Sequence, residues 1–131
     1  MELLAQPYPE CSIRAGPGYI RADIGSGTSS EIQDCYRRAA EIALGHRFLR
    51  VLIVGVGEND AHSHLAARDI IIALHQLGVP AGFKMAFVPK SDVTLNGYRH
   101  AEIEANNRGL RAKVFQDEKE AARWLTEAEL H

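Results

Sequence analysis

The stretch Gly57–His64, GENDAHSH, sets an acidic pair, two imidazoles and a hydroxyl directly after the apolar run VLIVGV. Those residue types suit three chemistries: gripping a metal, activating a serine, or accepting a phosphate. The spacing discriminates among them. Asn59 or Asp60 is a good helix N-cap, which puts His62, Ser63 and His64 in a first helical turn. Alternate positions on a helix diverge by about half a turn, so His62 and His64 do not share a face. Metal-binding pairs on helices favour i, i+3 or i, i+4 instead, and no metal is assigned. A Ser–His pair is local here, but the Gly-x-Ser-x-Gly elbow that presents a nucleophile is missing, and no catalytic residue is assigned. Ser63 keeps a third use: a phosphate in a first helical turn is stabilised by backbone N–H groups and the helix dipole.

Three further polar stretches join this one. GSGTSS, with Ser26 and Thr28, is glycine-rich and enters a helix, so its N–H groups could hold an anion. It lacks the lysine of a phosphate-binding loop and the spacing of a dinucleotide fingerprint, and the favoured reading is a turn plus a helix cap. PKSD brings Lys90 and Ser91, and QDEK follows the last apolar segment. The candidate contact residues are therefore Ser26, Thr28, Asn59, His62, Ser63, His64, Lys90 and Ser91. His46, His75 and His100 read as ordinary residues, Arg37-Arg38 and Arg108–Lys113 as solvated faces, and Tyr98 and Trp124 as core.

Elements must bring these loops together. Residues 1–10 read as an irregular lead-in and 11–131 as one α/β domain. CSIRA (11–15) and GYIRADI (18–24) are expected strands, joined by Gly16-Pro17-Gly18, a tight turn that implies an antiparallel hairpin. The second alternates Tyr19, Arg21, Asp23 against Ile20, Ala22, Ile24, the pattern of a half-covered strand. Thr28 and Glu31 form a capping box for a helix over about 29–44, which Gly45 can close. LRVLIVGV (49–56) shows no alternation and suits a central strand covered on both faces. A helix over about 61–77 follows, with a wide apolar stripe from Leu65 to Leu77 that could also serve a homodimer. FKMAFV (83–88) is a strand, Ser91 or Asp92 caps a helix containing Leu95, Tyr98, Ala101 and Ala105, and LRAKVF (110–115) is the last strand. Asp117 then caps EKEAARWLTEAEL. The order ββαβαβαβα predicts a mixed, mostly parallel five-stranded sheet with four helices. In such sheets the loops after the parallel strands emerge at one edge, where ligands bind.

The totals bound the function. A chain of 131 residues with 24% charged residues and a formal charge of -2 gives no basic face for nucleic acid. No apolar run reaches the ~20 residues of a membrane span, and the acidic, proline-broken start is unlike a signal peptide. A cytoplasmic protein is expected, with no cofactor. Cys11 and Cys35 have no metal or redox spacing and are expected as reduced core residues.

Element order, LRVLIVGV, FKMAFVPKSD, LRAKVF and the ending EKEAARWL together resemble the STAS domain family, and within it the SpoIIAA-like branch. The resemblance spans about Ser12 to Leu125. It implies a non-enzymatic regulatory or binding module that engages a protein or small ligand at the loop edge. Anti-sigma-factor antagonists carry an Asp-Ser-Ser-Gly motif whose second serine accepts phosphate. Laid on this chain, the motif falls on Ala61, His62, Ser63 and His64, and Ser63 matches the acceptor. Two other functions fit the residues: a carrier of a lipid or small apolar molecule, from the apolar helices, and an enzyme using His62, His64 and Lys90.

Overall fold

The computed structural model describes residues 2–25, 27–55 and 71–127. Ser26, Asn59, His62, Ser63, His64 and the first part of the 61–77 helix lie outside them. The elements are β1 (Leu3–Tyr8), β2 (Cys11–Ala15), β3 (Ile20–Ile24), α1 (Ser29–Gly45), β4 (Arg50–Gly55), α2 (helical over 71–76), β5 (Lys84–Pro89), α3 (Asp92–Asn107), β6 (Arg111–Val114) and α4 (Glu118–Thr126). One sheet holds the strands in the order β1-β2-β3-β4-β5-β6. The first two pairings are antiparallel and the remaining three parallel.

The sheet has six strands rather than five, because the expected lead-in is β1. Its register to β2 shifts twice, between Leu3 and Ala5 and again between Ala5 and Tyr8. These irregularities erase the two-residue alternation that marks a strand in sequence. Pro7 is tolerated because β1 is an edge strand, and α1 packs over it.

Hydrophobic pattern decides the layers. On one face, Ile13, Ile20, Ala22, Ile24, Val51, Ile53, Met85 and Phe87 meet Ile32, Cys35, Tyr36 and Ala39 of α1, Ile71 and Leu74 of α2, and Tyr98 and Ala105 of α3. On the other, Leu52, Val54, Ala86 and Val88 meet Tyr19 and Ala121 and Leu125 of α4, with Phe115, Ala122 and Trp124 alongside. The short α4 packs on β4 and β5. Arg21 and Asp23 of β3 therefore stay on a half-open face, while β4 is buried on both, Val51 to Val54 being at most 2% exposed. Burying each such side chain contributes about 1.5–3 kcal/mol. Trp124 is half-buried at the margin of the smaller core rather than within it. Lys84, itself buried, stacks its ammonium on the Trp124 ring and donates to the Trp124 carbonyl at 3.0 Å.

Local signals act as expected at most ends. Gly16 N–H donates to the Tyr19 carbonyl across the hairpin turn, Ser91 O accepts from Leu95 N–H at the start of α3, and Asp117 caps α4 through Lys119 N–H. Two expectations are corrected. Gly45 does not close α1: the helix ends through Arg47, in the left-handed region at φ 60. Arg47 N–H donates to Leu44 O and Phe48 N–H to Ala43 O, the paired bonds of a Schellman ending. Cys11 of β2 and Cys35 of α1 are not separate thiols but a disulfide, with Cα atoms 6.4 Å apart. The hairpin and the capped helix bring together two cysteines whose sequence separation carries no pairing signal.

Candidate functional site

Register places the loop stems. Ile24 of β3 pairs with Gly55 of β4, and Gly55 with Pro89 of β5. Phe87 of β5 pairs with Val114 of β6. The chain segments that begin at Gly25, Gly55, Pro89 and Phe115 therefore all leave one edge of the sheet, the C-terminal rim.

At the first segment the capping box is complete. Thr28 Oγ1 accepts from Glu31 N–H at 3.1 Å, and Glu31 Oε1 accepts from Thr28 N–H at 2.9 Å. Gly25 N–H donates to Glu10 O at 2.7 Å. The Thr28 and Glu31 donors are thus used by the chain itself, with the carboxylate of Glu31 already seated at the helix start. The turn-and-cap reading of this segment holds for Thr28.

The glycines there answer to tyrosines. Tyr8 Oη donates to Gly25 O at 3.3 Å, and a Cβ on Gly27 would lie 2.9 Å from the Tyr8 ring. A Cβ on Gly55 would lie 2.8 Å from Tyr98 Oη. Tyr98 in turn packs on Phe87, ring centres 5.1 Å apart. Burial pushes the Tyr8 hydroxyl up to about 12, with help from Glu31 and Glu10. Burial also raises Tyr36 and Tyr98 above the ordinary range. Three neutral phenols thus underlie the rim. Sequence reasoning missed Tyr8 and Tyr36, because neither carries a motif; only their meeting in space makes them part of this edge.

Lys90 belongs to a four-residue charge network. Its Nζ donates to Glu118 Oε2 at 2.8 Å. The other Glu118 oxygen is 2.6 Å from Arg21 Nη1, and Arg21 forks onto Asp23 through Nε and Nη2, each at 3.0 Å. The Lys90 hydrogen bond, opposed by desolvation and reinforced by Arg21, holds the Glu118 carboxyl below its ordinary range. The Asp23 hydrogen bond raises the Arg21 guanidinium further. This network ties β3, the β5–α3 loop and the start of α4 together, and it commits Lys90 to a carboxylate. Arg21 and Asp23 could be read only as one polar side of a strand; nothing in sequence joins them to Glu118.

Ser91 is half-buried at the start of α3. Beside it lies a hollow of about 250 Å³ lined by Pro89, Lys90, Ser91, Asp92, Leu95 and Gln116. Leu95 and Gln116 also line a second hollow of about 410 Å³, which reaches Arg99, Ile103 and Val114. Of the sequence candidates, Thr28, Lys90 and Ser91 are thus on the rim. Among the described residues no group of three or more His, Cys, Asp or Glu side chains could hold a metal, and no helix is long and apolar enough to cross a membrane. Comparison with family models, curated proteins and solved structures gave no match.

Proposed function

We propose that the chain is a non-enzymatic binding module of the STAS type, close to the SpoIIAA-like branch, that engages a protein or small ligand at the C-terminal rim, with Ser63 as its phosphorylation switch. The observation that carries this reading is the register of Ile24, Gly55 and Pro89, which sets the stem that leads into GENDAHSH between the stems of the other two loops. The state of the described rim groups favours contact over catalysis. Thr28 is spent on a helix cap and Lys90 on Glu118, whereas the two hollows that share Leu95 and Gln116 offer surface for a ligand. Among the described residues, Tyr36, Tyr98, Phe83 and Phe87 pack between the sheet, α1 and α3.

Phosphopeptide mass spectrometry on protein from its native cell tests the switch. A phosphate on Ser63, and loss of ligand binding in Ser63→Asp, are the expected results. Unmodified Ser63 in every growth state, together with unchanged binding by Ser63→Asp, would remove it.

A further inference from the structure

The opposite edge of the sheet carries a surface of different chemistry. Between α1 and β4 the chain reads His46-Arg47-Phe48-Leu49-Arg50. Arg47, Phe48, Leu49 and Arg50, with Gly18 from the hairpin turn, line a hollow of about 330 Å³. We propose that this hollow docks an acidic and apolar segment of a protein partner, carboxylates meeting the two arginines and an aliphatic side chain meeting Leu49.

Three observations support it. First, Leu49 is 46% exposed while Phe48 packs on the core and stacks with His46, so an open apolar contact sits on a fixed base. Secondly, Arg47 and Arg50 flank the hollow on either side of Leu49 and make no ion pair among the described residues. Guanidinium groups flanking an apolar floor match carboxylates in bidentate geometry. Thirdly, Arg47 holds the left-handed backbone that ends α1, at φ 60. Gly109 fills the matching place at the end of α3, at φ 85. An arginine there costs about 1–2 kcal/mol, and residues kept in such conformations cluster at functional sites. The concave shape favours an inserted side chain over the broad face of a bilayer. The proposal is independent of the C-terminal rim.

The test begins with selection of a random-peptide phage library on the full chain. Enriched peptides are then titrated, fluorescein-labelled, by anisotropy. Enrichment of Asp or Glu beside Leu, Ile or Val is expected. Arg50→Gln and Arg47→Gly should each weaken those peptides about tenfold, the loss of roughly one charged contact, and added salt should weaken them further. Arg47→Gly should unfold at the same temperature or higher, which separates lost contact from lost fold. No enrichment, peptides indifferent to both substitutions, or flotation with phosphatidylserine vesicles in place of peptide binding would each overturn the proposal.

Discussion

At the scale of single residues, glycine and tyrosine set the shape of the rim. Gly55 ends β4 under the hydroxyl of Tyr98, with 2.8 Å available where a Cβ would stand. Gly55→Ala should therefore destabilise the fold by about 1–3 kcal/mol through overpacking. Adding Tyr98→Phe removes the clashing oxygen, so the double variant should recover part of that loss. Urea unfolding of the two single variants and the pair measures the coupling, and strictly additive losses would refute the contact. Arg47 makes the opposite case. Glycine adopts its left-handed conformation without a Cβ penalty, so Arg47→Gly should gain about 1 kcal/mol in the same measurement. A loss of stability would show that the arginine side chain contributes more than its backbone costs.

Elements are held by links that connect distant parts of the chain. Protonation of Glu118 is disfavoured in the fold, because its carboxyl is held below its ordinary value of 4.5 by Lys90 and Arg21. Its contribution is therefore complete above that value and is lost as pH falls through the lower, folded one. Glu118→Gln should flatten the acid limb of the stability curve and lower stability near neutrality by about 1 kcal/mol, as expected for a networked surface pair. Acid unfolding followed by Trp124 fluorescence reports it at α4. The Cys11–Cys35 disulfide closes a loop of 24 residues, and replacing both cysteines by alanine should cost about 3 kcal/mol on the chain-entropy account. An unchanged midpoint would mean that the bridge constrains nothing. The contrast explains what could be read in advance. Turn glycines, the Thr28–Glu31 box, Asp117 and the unbroken apolar run of β4 are local signals, and each marked its element. The irregular β1, the disulfide, the Arg21–Glu118 bond and the tyrosines beneath Gly27 and Gly55 depend on residues far apart in sequence. No periodicity records them. Of the candidate site, the edge was legible from strand order, and Thr28, Lys90 and Ser91 are placed there. The internal bonds that occupy Thr28 and Lys90 were not legible.

The whole molecule presents two edges of different character and a protected side. On β6 the outward backbone groups are taken by α3: Asn106 bonds both N–H and O of Ala112, and Glu102 accepts from Val114 N–H at 2.6 Å. Strand addition at that side is thereby blocked. Beneath the C-terminal rim, Tyr8, Tyr36 and Tyr98 stay neutral above the ordinary phenol value of 10.0. The stability they contribute is present below that value and is lost as pH rises through the folded ones. Tyrosinate absorbance from these three should therefore rise together with loss of near-ultraviolet dichroism, and ionisation of all of them in an intact fold would contradict their burial. The central claim is that ligands meet the C-terminal rim under control of Ser63. A photo-crosslinking amino acid placed at Ser91, on the full chain in its native cell, reads this most directly. A discrete adduct at Ser91 that disappears when Ser63→Asp is added is the expected result; an adduct unaffected by Ser63→Asp, or none at all, would contradict it.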